Sequence, residues 1–546
     1  MDGYRPKLLE CLKGYDRASF FADLGAGVTV GIVALPLAIG FAIASGVRPD
    51  QGIWTAIIAG ALISALGGSR VQIGGPTGAF VPILSGIVAS FGYRGLAVAT
   101  VMAGLFLVIM GVMKLGNLIK FIPYPVIAGF TSGIAVIIFI GQMKEFFGLS
   151  LKLPSHTPQQ FWTIVTHLRD ANWNSVVLGL LALVILIAWP KKWRAVPASI
   201  VAVIVPTICV VLFNPPVHTI GSEFGGIHQG LPNFVLPPIS FGMIHQLMIP
   251  AMTIAILGAI ESLLSAMVAD GMIEDRHDSN QELIGQGLAN LICPFFGGIA
   301  ATGAIARTAT NVRSGARTPV SGIVHALILL LIVLVAAPWA KQMPLTALSA
   351  VLFVVAYRMG EWRNFQELAR STKSDFGVLV ITFALTVFFD LTIAVGVGLM
   401  IAGVLFVRRM EEITQIKIVT PESDLETGED SVRDKVVPEG VLVFRIEGPF
   451  FFGVAEKLEY VFERTSDVPQ IIIFRIRNVP AIDASGLHAL EITLDKFQRR
   501  GTQLILSGVQ PQPMKVLFKS GFVDKIGLDN ICANIDTALA RAREML

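Results

Sequence analysis

Charge is scarce in this chain. Only 15% of its 546 residues are Asp, Glu, Lys or Arg, against roughly a quarter in soluble domains. The deficit is uneven: between about Phe20 and Val407 most stretches of membrane-spanning length carry no acid or base, while the last part has ordinary soluble composition. Cysteine is scarcer still. Cys11, Cys209, Cys293 and Cys532 are scattered, with no CxxC pair and no His at ligand spacing, which argues against a disulfide scaffold and a metal centre. The eight histidines form no ligand spacing either, so no metal and no cofactor is expected. A net charge of +3 without a basic, aromatic-interleaved cluster excludes a nucleic-acid partner. GxSxG, P-loop and nucleophile–base patterns are missing, so no enzyme is expected. The opening Met1 to Lys7 mixes acid and base with no early apolar run. It is not a cleavable leader, and the first apolar span is expected to stay as an anchor.

What is abundant is apolar sequence: 53% of residues are hydrophobic and the mean hydropathy is +0.69. A hydrocarbon core of ~30 Å needs about 20 apolar residues per helix. Candidate spans begin near Leu24, Ile53, Pro76, Leu96, Ile122, Val176, Pro197, Met248, Leu283, Ala304, Val320, Leu345, Phe376 and Leu391, about fourteen in all. Two of them start badly for a helix in lipid. Gly74-Gly75-Pro76-Thr77-Gly78 and Gly297-Gly298-Ile299-Ala300-Ala301-Thr302-Gly303 are glycine-rich, and irregular backbone survives in a membrane only where protein or a cavity covers it. Each follows a helix of similar character, near Leu24 and near Met248, which is the pattern of two inverted seven-segment repeats. Gly-rich loops between ordinary helices would read the same way. Arg5, Lys7, Lys13 and Arg17 before the first span, and Arg408-Arg409 after the last, put both termini on the cytoplasmic side.

The domain plan is a cytoplasmic segment over 1–20, a transmembrane domain over 21–410, a linker over 411–436 and a small α/β domain over 437–546. In the last, β-branched runs at 441–446, 471–476 and 503–506 alternate with amphipathic helical patterns at 453–464, 485–500, 512–520 and 535–544, implying a mainly parallel sheet.

Glu261 stands deep in the apolar run Ile254 to Ser265. A carboxylate there costs at least ~2.5 kcal/mol on insertion scales, so it is expected to face a cavity or a partner. A protonatable carboxyl in that place suits proton coupling; a structural hydrogen bond to another helix is the plainer alternative. Ser265 lies one turn on, on the same face. Arg307 follows the second glycine-rich stretch, where a helix N-terminus and a cation together would bind an anion, although a salt-bridge or snorkelling role would also place an Arg there. Pro76 to Phe80 would present the opposing helix end. In the last domain, Asp483 or Ser485 is expected to cap a helix.

These residues resemble the SulP anion transporters, the family of prestin and pendrin. The resemblance runs through Asp23 to Gly31, Leu35 to Ala38, Gly74 to Phe80, Gly258 to Leu264, Asn290 to Gly298 and Ala306-Arg307, and the closing domain resembles a STAS domain. It implies fourteen segments in core and gate domains, an elevator-type motion, a homodimer in the cell (inner) membrane and a small anion as substrate. By motif position Thr77, Gly78, Ala79 and Phe80, with Ile305, Ala306 and Arg307, match the substrate contacts. Phe41 matches a first-segment cavity residue, and Glu261 and Ser265 match the ion-coupling position. Many members have Gln where this chain has Leu37. Sodium-coupled bicarbonate members have Asp where this chain has Glu261, favouring protons over sodium here. STAS switches phosphorylate a Ser where this chain has Ala484, making Ser485 a cap and not a switch. The wording of Gly258 to Leu264, Asp270 to Met272 and Gly285 to Gly287 is similar to the family's bacterial C4-dicarboxylate carriers, pointing to a dicarboxylate ahead of sulfate and bicarbonate. An uncoupled exchanger or channel, or a membrane scaffold recruiting a cytosolic protein through the STAS domain, are the competing readings.

Overall fold

The structure is a computed structural model that describes residues 5–117, 123–154, 156–190, 196–228, 230–237, 240–370, 372–389, 391–421, 431–433, 435–451 and 469–546. Two compact units divide the chain, Met1–Met400 and Ile401–Leu546.

In the first unit a short helix α1 (Lys7–Cys11) precedes α2 (Arg17–Ala44), which starts where Asp16 accepts a hydrogen bond from the Ser19 N–H at 2.8 Å. Helix α3 (Pro49–Leu66) begins with proline in its first turn. After a two-residue strand β1 (Gly74–Gly75) and a 3₁₀ turn at Gly78–Phe80 comes α4 (Val81–Val112), interrupted at Gly92 by a φ of 66°. Next come α5 (Tyr124–Phe146), the amphipathic α6 (Thr157–Thr166), α7 (Trp173–Ala188), α8 (Ala198–Phe213) and α9 (Ile220–Phe224). Helix α10 (Phe241–Ile273) ends at Glu274 in the left-handed region, and Asp278 caps α11 (Ser279–Ile292). Strand β2 (Thr302–Gly303) leads into the nine-residue α12 (Ile305–Arg313). The unit continues through α13 (Val320–Ala340), α14 (Leu345–Met359), α15 (Trp362–Ala369), α16 (Lys373–Phe388) and the first half of α17 (Leu391–Ile413). Helices cover the expected positions, with those near Pro76 and Leu96 both falling on α4, before and after its interruption at Gly92. Among the described residues, six stretches are long and apolar enough to cross a membrane: Arg17–Ala44, Gly78–Val112, Tyr124–Phe146, Phe241–Ile273, Val320–Ala340 and Leu345–Ala369.

The order α2, α3, β1, α4 recurs as α10, α11, β2, α12, and the two sets interleave. Helix α11 packs chiefly on α4, and α13 on α2 and α3. A second group is built of α5, α7, α8, α14 and α16. Backbones approach closely in the first group: a Cβ on Gly104 of α4 would lie 2.7 Å from the Gly287 carbonyl of α11, and one on Gly287 would lie 2.7 Å from the Gly104 carbonyl. Such mutual glycine contact is how helices associate where lipid supplies no hydrophobic drive.

The second unit holds a five-stranded sheet in the order β3-β4-β5-β6-β7: β3 (Gln415–Ile418), β4 (Val441–Glu447), β5 (Ile471–Asn478), β6 (Gln503–Ser507) and β7 (Ile531–Cys532). Strand β3 is antiparallel to β4 and the other pairs are parallel. Strand β3 falls inside the stretch expected as linker, where Ile416 pairs with Ile446 and packs on the domain core. Helices α18 (Ala484–Arg499), α19 (Pro511–Lys519), α20 (Phe522–Ile526) and α21 (Ile535–Met545) complete the described part. The amphipathic pattern expected at 453–464 lies outside the described residues. Asp483 caps α18, accepting from the Gly486 N–H at 2.7 Å; Ser485, also expected as a cap, sits inside the helix.

Candidate functional site

The two glycine-rich interruptions meet each other. Strands β1 and β2 pair antiparallel, Gly74 opposite Gly303 and Gly75 opposite Thr302, so the irregular backbone finds its hydrogen-bond partners inside the protein, as a low-dielectric setting requires. The pairing is extended beyond Gly74 at Ile73. The Ala304 N–H donates to the Ile73 carbonyl at 2.8 Å, and the Ile73 N–H donates to the Thr308 hydroxyl at 3.0 Å. Thr302 donates to the Gly258 carbonyl of α10 at 2.9 Å, tying the strand pair to the helix that carries Glu261.

Glu261 is buried and accepts a hydrogen bond from the Thr77 hydroxyl at 3.0 Å. One residue earlier, the Pro76 carbonyl accepts from the Arg307 guanidinium, which is 2% exposed. The acid of α10 and the base of α12 thus converge on adjacent residues at the head of the first broken segment. Ser265 donates to the Thr308 hydroxyl at 3.1 Å, so it supports α12 and makes no direct bond to Glu261 among the described contacts. Ala79 and Phe80 are fully buried, and the Phe80 ring lies against Gly258. Gly78 faces outward from this group: a Cβ there would come 2.9 Å from Ile138 of α5, 3.0 Å from Met359 of α14 and 3.2 Å from the Phe41 ring of α2. Phe41 is therefore at the site, where the two helix groups meet. Ile305 and Ala306 are exposed at the start of α12.

A second carboxylate belongs here that sequence reading missed. Glu282 of α11 is 1% exposed. It accepts from the Gly68 and Ser69 N–H groups at 2.9 and 3.0 Å, from the Gln72 amide at 3.0 Å and from the Ser262 hydroxyl at 3.3 Å. It fastens the loop before β1 to the residue beside Glu261. Asn290 and Gln286 do the same for the other strand: both amides donate to the Ala301 carbonyl, and the Ala301 N–H donates back to Asn290.

This assembly, two broken segments paired at their strands with a buried acid and base at their heads, coincides with a family profile. The "Sulfate permease family" profile matches residues 20–382, and a STAS-domain profile matches residues 433–538. The chain belongs to the sulfate permease family. It is a multi-pass membrane protein and an anion transporter, with a STAS domain at its C-terminal end. YvdB of Bacillus subtilis, which carries a provisional sulfate-transporter name, is 44% identical over 518 residues, covering 94% of this chain and 96% of YvdB. The bicarbonate transporter BicA of a Picosynechococcus species is 31% identical, over 95% of this chain and 94% of BicA. The fold matches murine Solute Carrier 26 family member A9, an anion transporter solved in the inward-facing state. That match has a TM-score of 0.87 at 18% identity and covers 98% of this chain and 94% of the other.

Proposed function

We propose that this SulP transporter carries a small anion into the cell together with a proton. The observation that supports it most is the convergence of Glu261 and Arg307 on Thr77 and Pro76. An anion docked among Thr77, Gly78, Ala79 and Phe80 and the exposed start of α12 would stand near a cation and a carboxyl at once. Opposite charges favour joint occupancy and like charges oppose it. Protonating Glu261 removes the negative charge that would repel the anion, so the two ligands assist one another, and by linkage the effect is reciprocal. In its ionised form the carboxyl holds the Thr77 hydroxyl; in its protonated form it becomes a donor and that hydroxyl is freed to turn to the anion.

The names of YvdB and BicA favour sulfate or bicarbonate over the C4-dicarboxylate suggested by residues 258–264. The separation of the helices into two groups that meet at Gly78 supports fourteen spans in inverted repeats, arranged as a core that moves against a gate. The basic residues flanking the first and last spans support cytoplasmic termini in the cell (inner) membrane. A homodimer and a cytosolic partner for the STAS domain follow from family resemblance.

The test is uptake of labelled sulfate, bicarbonate and fumarate into proteoliposomes under an inward proton gradient. Glu261→Gln, which cannot ionise, is expected to abolish gradient-driven uptake of whichever anion the native protein accumulates. Uptake indifferent to both the gradient and the substitution would replace coupled transport by an exchanger or channel.

A further inference from the structure

Beside the site, starting from Arg307, runs a seam of buried polar atoms whose other members the transport reading leaves unused. On α3, Ala56, Gly60 and Ser64 recur every fourth residue and share one face. A Cβ on Gly75 would come 3.4 Å from the first of these and 2.6 Å from Arg307 Nη1. A Cβ on Gly60 would come 3.2 Å from the Gly74 carbonyl and 3.4 to 3.5 Å from the His325 ring. Ser64 packs against Gly322, one turn before His325 on α13. Along this line Arg307 Nη1, both ring nitrogens of His325 and the Ser64 hydroxyl are buried without a partner among the described residues. The Asn311 carbonyl oxygen is in the same state, on a side chain that bonds Val71 and Ser321 through its nitrogen. His325 is completely buried, and its ring approaches the Gly322 carbonyl of its own helix without hydrogen-bond geometry.

Buried polar atoms are nearly always satisfied, by protein or by ordered water. Five such atoms along one line, buried among the helices of the first unit, point to a shared ligand. We propose that this seam holds ordered water and that His325 is a second proton-binding group of the transport core, distinct from Glu261. Imidazole is the side chain whose proton exchanges most readily near neutral pH. Among the described residues the charge that acts on the ring is that of Arg307 on α12, which repels a proton there until an anion offsets it; α3 meets the ring at Gly60 and α2 meets the His325 backbone at Gly31, neither of them ionisable. A proton on His325 and an anion on Arg307 carry opposite charges, so they favour each other's binding. The seam ends at the last turn of α3, where the Gly67 carbonyl accepts from the Lys7 N–H of α1 at 3.0 Å. It therefore leads from the anion site towards the face that carries the N-terminal helix.

The transport consequence rests on proton coupling as proposed above; the proton site itself does not. The full-length protein is compared as wild type, Glu261→Gln, His325→Gln and His325→Leu. In proteoliposomes, His325→Gln is expected to bind anion yet show a shifted pH profile of uptake, and to take up fewer protons on sulfate or fumarate addition than wild type. A pH profile and proton count equal to wild type overturn the proposal while leaving Glu261 in place. So does a raised thermal midpoint with transport intact in His325→Leu, the mark of a dry seam. If the wild type takes up no proton on binding either anion, the coupled reading fails, and imidazole nitrogen spectra then decide. A His325 resonance, assigned by its loss in His325→Gln, that becomes protonated between about pH 5 and 8 with sulfate or fumarate present upholds the site. One that stays neutral under every condition overturns it.

Discussion

Burying a charge without a full set of partners is among the costliest acts in a fold, and Glu282 shows how that cost is met. Its four donors come from the loop before β1 and from α10. Each buried donor left unpaired costs about 1–3 kcal/mol, so Glu282→Ala is expected to destabilise by ~3 kcal/mol or more, read as a large fall in the thermal midpoint of the detergent-solubilised protein. Glu282→Gln should be milder, since one acceptor survives. Tyr15 makes a second residue-scale case. Its phenol donates to the buried Asp23 at 3.0 Å, which also accepts from the Arg317 and Thr318 N–H groups. Burial, and then the charge of Asp23, push the Tyr15 hydroxyl up to about 12. The raised value means that the bond's stabilisation is fully present below the ordinary tyrosine value near pH 10 and is lost only as pH climbs towards 12. Tyr15→Phe is therefore expected to lower the thermal midpoint by the same amount at pH 6 and pH 8, with the difference vanishing only in strong alkali. Glu261 and Arg307 were legible in the sequence because a charge interrupting an apolar run announces itself. Glu282 was not, because it follows Ser279, Asn280 and Gln281, a polar run that reads as the approach to a span and not as part of one.

At the scale of elements, what sequence could locate were the helices and the two places where helices fail. Hydrophobic length marks a span directly, and a Gly-rich, β-branched entry marks a break. What it could not supply was that the two breaks pair as strands, because two residues per strand are too few to leave a period-two pattern. The pairing depends on close helix approach around it. Gly104 of α4 and Gly287 of α11 touch backbone to backbone, so Gly104→Leu is expected to prevent assembly. The measurement is size-exclusion chromatography after mild solubilisation, where loss of the monodisperse peak is predicted, with Gly86→Leu as control because a Cβ there meets nothing within 4 Å.

For the whole molecule, the change of composition along the chain makes two units visible in the sequence, but strand β3 leaves no such mark. Strand β3 sits in a stretch whose polar residues read as linker, and a four-residue edge strand carries little apolar signal. The C-terminal unit has buried clusters of its own, around Phe444, Phe474 and Leu506 on one face of the sheet and Ile473, Ile505 and Leu539 on the other. A fragment spanning residues 415–546 is expected to fold alone with a cooperative thermal transition by circular dichroism. A fragment beginning at 437 should be less stable and more prone to self-association, since β4 becomes an unprotected edge.

The strand pair also imposes an order of events in synthesis. Gly74 and Gly75 take their partners from residues more than two hundred positions later, which at ordinary elongation rates means a wait on the order of ten to fifty seconds. Throughout that interval the first broken segment is in or near the bilayer with its backbone unsatisfied. It needs shelter from the insertion machinery or from the helices already made, and the anion site comes into being only when the second half arrives.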